Sequence, residues 1–265
     1  VQGQAWPPET REAFMSNLVE AHAAAVKPTY AHVDSPTAAV AEAAKAQAEV
    51  AKAAATRAMA AGHNQYGRMQ GVPELNAALV DRWGSMTGQR VDGETQVTVT
   101  AGCTEALAAT FLGLVNPGDE VILFEPYYDC YHADATMAGA VVKTVTLRPG
   151  KPNQGAGPAK PAPESWWAHE EFEFDPDELR RAFSAKTRLI VVNTPHNPTG
   201  KIFTREELSL VAELCVKHNT IAVTDEVYER LTFEADRPHL HLAMFPGMAD
   251  RTVTLSSLGK TYSLT

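Results

Sequence analysis

Short apolar runs alternate with longer helix-like segments from residue 97 onwards, and this alternation limits the fold more than any other feature of the chain. Six runs are predicted to be strands: 97–100, 121–124, 141–146, 188–192, 221–224 and 252–255. The predicted helices are 73–86, 104–115, 127–138, 176–183 and 204–218. Because apolar strands joined through helices form mostly parallel sheets with helices on both faces, an α/β fold is predicted.

The N-terminal part of the chain has a different composition. Residues 38–61 contain 14 alanines in 24 positions, with Glu and Lys between them, which predicts a long helix that ends at Gly62. A helix that binds a partner protein is the alternative interpretation. We therefore divide the chain into an N-terminal arm and Ala-rich helix, 1–62, and an α/β domain, 63–265.

Charge and cysteine content argue against several classes of protein. The chain has 23 Lys and Arg against 32 Asp and Glu, a formal net charge of −9, so a broad surface for nucleic acid or anionic lipid is not expected. No apolar run approaches the roughly 18 residues of a membrane span. The three cysteines form no CxxC pair, and no metal site is predicted. A reducing, cytoplasmic location is expected, with the mitochondrion as the alternative.

Polar residues follow the predicted strands at the edge where parallel α/β sheets bind ligands. After the first strand, the small residues 101–104 lead directly into a helix, whose N–H groups are suited to a phosphate, although any strand–turn–helix unit has this form. After strand 188–192, Asn193 and Asn197 lie on a loop that contains two prolines. This loop is either ordinary turn chemistry or a source of amide hydrogen bonds.

The last two predicted strands are followed by charged residues. Asp225 leaves an apolar strand, where a carboxylate needs a helix N-terminus, a cation or a protonated heterocycle as its partner. Lys260 lies in a Gly-Lys-Thr triplet, but Thr254 stands where a P-loop requires glycine, so that pattern fails. A phosphate site, amides, a carboxylate and an amine together suit pyridoxal phosphate, which needs a Schiff-base lysine and a carboxylate on its ring nitrogen.

Eight short motifs then occur in a fixed order over residues 63–265. They are Asn-Gln-Tyr-Gly-Arg (64–68), Gly-Val-Pro-Glu-Leu (71–75), Thr-Ala-Gly-Cys-Thr-Glu-Ala-Leu (100–107), Pro-Gly-Asp-Glu-Val (117–121), Glu-Pro-Tyr-Tyr-Asp (125–129), Asn-Thr-Pro-His-Asn-Pro-Thr-Gly (193–200), Asp-Glu-Val-Tyr (225–228) and Ser-Leu-Gly-Lys-Thr-Tyr-Ser (257–263). This set resembles the class I and II aminotransferases of pyridoxal-phosphate fold type I. Within that family, it is most similar to the kynurenine aminotransferase and cysteine-S-conjugate β-lyase group. The resemblance implies that 63–265 is the large domain, which binds pyridoxal 5′-phosphate.

The resemblance implies roles for five residues at the cofactor ring. Lys260 would bind the cofactor as a Schiff base and move the proton at the α-carbon of the substrate. Asp225 would pair with the pyridine nitrogen, and Tyr128 would stack on the ring face. Tyr228 and Asn197 would hydrogen-bond the ring oxygen.

Five further residues are implied at the phosphate or behind the ring. The backbone of Cys103 and Thr104, with the hydroxyl of Ser257, would hold the phosphate. Asn193 would support the ring without touching it. Tyr66 would reach the phosphate bound by the other subunit, which implies a homodimer.

The ends of the chain lead us to expect a piece of a longer protein. The first residue is Val1 rather than Met. The family's arginine for the substrate carboxylate, a second basic residue on the phosphate and the C-terminal small domain would all lie beyond Thr265. A chain without them is expected to transaminate poorly.

The leading function is the transfer of an amino group between an L-amino acid, aromatic or kynurenine-like, and a 2-oxo acid. A cysteine-S-conjugate β-lyase on the same cofactor is the competing enzyme, which an assay for pyruvate and thiol would distinguish. An inactive truncated remnant and a non-catalytic cofactor-binding domain are the competing readings without catalysis. The sensor domain of a transcription regulator would be of that last kind, but residues 1–65 lack the basic cluster of a DNA-binding domain.

Overall fold

The computed structural model describes the chain over residues 36–150, 171–232 and 238–262. Backbone contacts divide the chain into two compact units. One unit is Cys103–Ser257, and the other combines Val1–Gly102 with Leu258–Thr265. The domain boundary after residue 62 rests on composition alone and stays a prediction.

Five parallel strands form the centre of the Cys103–Ser257 unit. They are β1 (Glu120–Glu125), β2 (Val141–Thr146), β5 (Thr187–Asn193), β6 (Ile221–Asp225) and β7 (Thr252–Leu255), while β3 (Arg148–Pro149) and β4 (Phe172–Glu173) form a separate antiparallel pair. The order across the sheet is β2-β1-β5-β6-β7. The direction of winding reverses between β1 and β5, and ligands bind at such switch points in parallel α/β sheets.

Seven α-helices and two short 3-10 helices occur in the described residues. The α-helices are α1 (Pro36–Ala60), α2 (Pro73–Thr87), α3 (Gly102–Leu114), α4 (Asp129–Met137), α5 (Pro176–Ala182), α6 (Arg205–His218) and α7 (Leu258–Tyr262), and the 3-10 helices are Leu242–Met244 and Ala249–Arg251. Gly62 follows α1 at φ 85°, as expected for the residue that ends the Ala-rich helix. Across these described ranges, no helix combines the length and the apolar character that crossing a membrane requires.

Both faces of the sheet are covered by helices, which confirms the predicted α/β fold. Alternate side chains of a strand point to opposite faces. Ile122 and Phe124 of β1 therefore pack into a core with α5 and α6, whereas Val121 and Leu123 pack into a second core with α3 and α4. Each fully buried side chain of this size contributes about 1.5–3 kcal/mol to folding.

The predicted strand at 97–100 is wrong. These residues form no regular secondary structure, belong to the other unit and join no sheet. The N–H of Val99 donates instead to the carbonyl of Gln70 at 3.0 Å, in the loop before α2. Alternating Val and Thr give this segment a high β-propensity. Such a segment forms a strand only where a neighbouring strand can hydrogen-bond to it.

Candidate active site

The Asp225 carboxylate lies at the carboxyl end of β6, near the middle of the sheet. Asp225 pairs in register with Asn193, the last residue of β5, and with Leu255, the last residue of β7. Its side chain is buried, with 4% of the residue exposed. Parallel register thus brings two predicted site residues that are 32 positions apart to the same row of the sheet.

Three donors hold this carboxylate. The hydroxyl of Tyr131 donates to Oδ2 at 2.6 Å, and the N–H of Val227 donates to Oδ1 at 3.3 Å. The thiol of Cys103 lies 3.9 Å from Oδ1. Burial raises the pKa of Asp225, whereas the hydrogen bond from Tyr131 lowers it. A buried carboxylate held in this way is suited to pair with a cation or with a protonated ring nitrogen.

Asn193 ties the loop after β5 to the end of β6. Its Nδ2 donates to the carbonyl of Asp225 at 2.8 Å, and its Oδ1 accepts from the N–H of Asn197 at 2.6 Å. The side chain is buried, so both of its polar atoms are used within the protein. Asn197 itself is half-buried. This geometry agrees with the predicted supporting position of Asn193.

Tyr128 stands at the N-cap of α4, directly before Asp129, so the helix begins two residues later than the predicted start at 127. Its backbone is extended, at φ −67° and ψ 130°. The ring meets that of Tyr131 edge to face, with centroids 5.8 Å apart, and about a third of Tyr128 is exposed. Hydrogen bonding to Cys130 raises the pKa of Tyr128 to about 12, while the hydroxyl of Thr104 opposes this. An exposed ring in contact with Tyr131, which bonds Asp225, fits the predicted stacking position.

The N-terminus of α3 supplies backbone donors. Gly102 has φ +76°, and no heavy atom lies within 4 Å of the position that a Cβ would take there. The first N–H groups of a helix have no acceptor within the helix and favour an anion. Cys103 and Thr104 lie in this first turn, and Thr104 is exposed. The chemistry of this turn fits the predicted phosphate position.

Tyr131 is the site residue that sequence reasoning missed. It is fully enclosed in the second core, with 2% exposed, and burial raises its pKa, as does the neighbouring negative charge of Asp225. The sequence places Tyr131 three positions after the predicted stacking residue, on the same face of a helix, but it carries no signal that Asp225 is its partner.

The remaining predicted residues divide between the two units. Tyr228 is half-buried in the turn after β6, and Ser257 follows β7 by two residues; both belong to the Cys103–Ser257 unit. Lys260 lies in α7 with an exposed side chain, and Tyr66 is fully exposed in the loop between α1 and α2. Lys260 and Tyr66 belong to the other unit. Eight of the ten predicted residues therefore lie in the Cys103–Ser257 unit, and all the assigned roles stay predictions.

Comparison with known proteins places the chain in a family. The family model "Aminotransferase class I and II" matches residues 27–265. Kynurenine–oxoglutarate transaminase 3 of Mus musculus is 43% identical over 202 residues, which are 76% of this chain and 42% of the relative. Kynurenine–oxoglutarate transaminase 1 of Homo sapiens is 42% identical over 202 residues, which are 76% of this chain and 46% of the relative.

Among solved structures, the N-succinyldiaminopimelate aminotransferase of Mycobacterium tuberculosis is similar, with 43% identity and a TM-score of 0.69. The match covers 77% of this chain and 48% of that one. The chain thus spans about half the length of the relatives it matches. Because the family model covers nearly the whole chain, the chain belongs to the class I and II aminotransferase family.

Proposed function

We propose that the protein transfers an amino group between an L-amino acid and a 2-oxo acid, with pyridoxal 5′-phosphate as its cofactor. Members of its family use this cofactor. One observation carries the proposal: the buried Asp225 carboxylate at the carboxyl end of β6, held by Tyr131 and bordered by Asn193 and Cys103. When bound, pyridoxal phosphate supplies an electron sink for carbanion chemistry at the α-carbon of the substrate.

The residues of the chain fit this cofactor by their chemistry. Asp225 would hold the proton on the ring nitrogen, because a buried carboxylate with fixed donors gains most from a charged partner. Tyr128 would cover the ring face, and the first turn of α3 would bind the phosphate. Tyr228 and Asn197 would donate to the ring oxygen.

Lys260 would hold the cofactor covalently and then move the proton at the α-carbon of the substrate. This role rests on the Ser-Leu-Gly-Lys-Thr-Tyr-Ser motif after β7. A lysine amine at such a position serves as a nucleophile and as a base once it is neutral. Ser257 in the same motif would add a hydroxyl to the phosphate site.

We further propose a kynurenine-like or aromatic amino acid as the substrate, supported by the names of the transaminases that are 42–43% identical. A second candidate substrate is N-succinyldiaminopimelate, supported by the named aminotransferase of known structure at 43% identity. The relatives are named as aminotransferases, so the β-lyase, the inactive remnant and the non-catalytic domain are not favoured.

A homodimer is also part of the proposal. Tyr66 is fully exposed in the single chain, which leaves its hydroxyl accessible to the phosphate bound by a second copy.

A cytoplasmic location is supported by the three cysteines, none of which is disulfide-bonded.

Borohydride reduction tests the covalent attachment. The protein is incubated with pyridoxal phosphate, reduced and digested, and the modified peptide is identified by mass spectrometry. The label is expected on Lys260, and Lys260→Ala should remove it. Labelling of another lysine in the unsubstituted protein would contradict the assignment.

Substrate choice is tested by comparing kcat/KM values with 2-oxoglutarate as acceptor. L-Kynurenine, phenylalanine and N-succinyldiaminopimelate are compared at equal concentrations. A higher kcat/KM for kynurenine supports the first candidate, and a higher value for N-succinyldiaminopimelate supports the second. Release of pyruvate and thiol from a cysteine S-conjugate, faster than any transamination, would favour the β-lyase instead.

Asp225→Asn separates cofactor chemistry from cofactor binding. Loss of the carboxylate removes the ion pair that keeps the ring nitrogen protonated, so turnover should fall more than cofactor affinity. A loss of 3 kcal/mol in transition-state stabilisation corresponds to about a 150-fold lower rate. Turnover close to that of the unsubstituted protein would show that Asp225 does not pair with the ring nitrogen.

A further inference from the structure

A second cluster of polar side chains lies beyond the end of β6. It consists of Glu226, Glu229, His239 and His241, each of which offers one nitrogen or carboxylate oxygen within 4.8 Å of the others. Glu226 has no exposed surface, and Glu229 and His241 are buried. Four metal-ligating groups with so little contact with water are unusual, because buried charges are costly unless they are paired or bind a metal.

Local backbone structure brings these four residues together. The N–H of Glu226 donates to the carbonyl of Leu255 at 2.8 Å, and the N–H of Glu229 donates to the carbonyl of Glu226 at 3.0 Å, so one turn carries both carboxylates. His239 and His241 lie two positions apart, and His241 is extended at the start of the 3-10 helix Leu242–Met244. Side chains two positions apart on an extended segment point to the same side.

Glu226 accepts from both histidines through one oxygen. Its Oε2 lies 2.9 Å from Nε2 of His239 and 2.5 Å from Nδ1 of His241. The two imidazole rings meet edge to face, with centroids 4.6 Å apart. The two imidazoles therefore converge on one oxygen of the Glu226 carboxylate.

Two buried polar atoms of the cluster have no hydrogen-bond partner. They are Oε1 of Glu226 and Nδ1 of His239. A buried polar group without a partner costs about 1–3 kcal/mol, and such atoms are rare in native proteins. Oε1 is bonded to the same carbon as the oxygen that the histidines face, so the unfilled acceptor lies at the cluster itself. A bound cation would give Oε1 of Glu226 a partner.

We propose that Glu226, Glu229, His239 and His241 bind a divalent zinc ion. Two imidazoles and two carboxylates are common zinc ligands, and imidazole nitrogen argues against calcium or magnesium. Among these four groups the two carboxylates carry two negative charges when the imidazoles are neutral, and one Zn²⁺ balances them. Bonds of about 2.0–2.2 Å place tetrahedral ligand atoms about 3.3–3.6 Å apart, so movements of about 1 Å suffice.

The ion would be structural rather than catalytic, because four protein ligands fill a tetrahedral site and leave no position for water. It would fasten the turn 226–229 to the segment 239–241. Tyr228 lies on that turn between the two carboxylates. The bound ion would therefore restrict the turn that carries one of the proposed cofactor ligands, although the metal site itself does not depend on the proposed function.

The zinc content of the protein tests the proposed metal site directly. The chain is dialysed against EDTA, reloaded with one equivalent of Zn²⁺, dialysed again without chelator, and its zinc is measured by inductively coupled plasma mass spectrometry. We expect about one zinc per chain and a higher Tm than that of the EDTA-treated protein. Absence of retained zinc, with no change in Tm, overturns the proposal.

Two variants locate the zinc. His239→Gln and His241→Gln should each bind Zn²⁺ at least about tenfold more weakly and lose the zinc-dependent rise in Tm. His132→Gln, an exposed histidine on α4, is the matched control and should behave as the unsubstituted protein does. Unchanged zinc binding in both cluster variants overturns the proposal.

If the variants fail to fold, X-ray absorption on the unsubstituted protein identifies the atoms that bind the zinc. The zinc spectrum should contain imidazole nitrogen and carboxylate oxygen at about 2.0–2.2 Å and no sulfur near 2.3 Å. Sulfur ligands would place the ion at a cysteine and overturn the assignment.

Discussion

The hydroxyl of Tyr131 donates a 2.6 Å hydrogen bond to Oδ2 of Asp225, across 94 positions of the sequence. Tyr131 comes from the first turn of α4, whereas Asp225 ends β6. The same tyrosine ring meets Tyr128 edge to face, so it touches both the proposed stacking residue and the proposed partner of the ring nitrogen. Its buried position allows the hydroxyl little freedom to choose another acceptor.

Tyr131→Phe should therefore lower kcat/KM for transamination. The variant keeps the buried ring but removes the donor from Asp225. A hydrogen bond to a charged group contributes about 1.5–3 kcal/mol, which corresponds to roughly a 10- to 150-fold loss if the bond acts in the transition state. The measurement is kcat/KM together with the Kd for pyridoxal phosphate.

Tyr127→Phe is the matched control for this variant. Tyr127 is half-buried, and its ring stacks on that of His132 at 6.1 Å. It should keep kcat/KM within about threefold of the unsubstituted protein. Equal losses in both variants would show that general packing, rather than the bond to Asp225, causes the effect.

His196 should make the protein less stable in acid. It is buried with 4% exposed, and its Nδ1 lies 2.8 Å from Oγ1 of Thr199. Burial lowers the pKa of His196 to about 4, with a smaller effect from the charge of Lys201. The unfolded chain takes up this proton near pH 6.5 but the folded chain only near pH 4, so stability is complete above pH 6.5 and falls as the pH drops between these values.

This linkage predicts a loss of about 2 kcal/mol between pH 7 and pH 5 from His196 alone. Urea unfolding at the two pH values measures it. His196→Gln removes the titrating group, so the loss of stability between pH 7 and pH 5 should be about 2 kcal/mol smaller in the variant. An identical pH dependence in both proteins would contradict the assignment.

The backbone of Gly71 lies close to the side chain of Val99, in the segment 97–100. Its φ is +106°, and a Cβ there would lie 2.6 Å from Cγ2 of Val99 and 2.7 Å from Oδ1 of Asn76. Asn76 is buried and donates to the carbonyls of Gln70 and Gly93 at 3.1 and 3.0 Å. The segment 97–100 is tied to this loop by the backbone hydrogen bond from Val99 to Gln70 and by the Nδ2 of Asn76, which lies 3.5 Å from the carbonyl of Val97.

Gly71→Ala should destabilise the protein by about 2–3 kcal/mol, because it adds both a steric clash and an unfavourable backbone conformation. Gly67→Ala is the matched control, since no heavy atom lies within 4 Å of a Cβ there. Denaturant unfolding should separate the two variants by at least about 1 kcal/mol. Equal free energies of unfolding in the two variants would show that the loop can rearrange around the added methyl group without loss of stability.

The sequence predicted local structure best where the signal was local. The bounds of β2 and β7 agree with the predicted runs 141–146 and 252–255, because both runs are rich in the β-branched residues Val and Thr. The helix predicted over 204–218 is confirmed as α6, with Thr204 as its N-cap, because the capping box of Thr204 and Glu207 joins residues only three positions apart. The segment 97–100 has the same β-propensity. Whether a strand pairs with it depends on residues far along the chain, which local sequence does not reveal.

Site residues that act through distant contacts could not be predicted in the same way. Tyr131 matters because the packing of α4 on the sheet turns its hydroxyl toward Asp225. His239 and Glu226 are 13 positions apart, and only the packing of the segment 239–241 against the turn 226–229 makes them a cluster. Neither relationship has a fixed spacing or a motif. Asp225 was predictable because parallel strands align their carboxyl ends.

The capping box of α6 offers a direct test of local stability. Oγ1 of Thr204 accepts from the N–H of Glu207 at 3.2 Å, and Oε2 of Glu207 accepts from the N–H of Thr204 at 2.8 Å. Thr204→Ala should cost about 1 kcal/mol of unfolding free energy. Thr204→Ser keeps the acceptor and should cost less than half as much, and a full loss in Thr204→Ser would contradict the capping explanation.

Glu207 also neutralises a buried lysine. Its Oε1 lies 2.7 Å from Nζ of Lys201, whose side chain is only 2% exposed, while that of Glu207 is 19% exposed. The ammonium also lies 5.1 Å from the ring centroid of Phe203. Glu207→Gln keeps an amide oxygen for the capping bond but leaves the ammonium buried without its counter-charge.

We therefore expect Glu207→Gln to cost about 3 kcal/mol of unfolding free energy, toward the lower end of the range for breaking a buried ion pair because Glu207 is partly exposed. Lys201→Met should cost less, since it removes the buried charge, keeps the apolar stem and leaves a carboxylate that water reaches. Guanidinium unfolding of both variants and of the double variant measures the coupling. If Lys201→Met lowers the unfolding free energy as much as Glu207→Gln does, the loss of stability comes from breaking the ion pair and not from leaving the ammonium of Lys201 buried without a counter-charge.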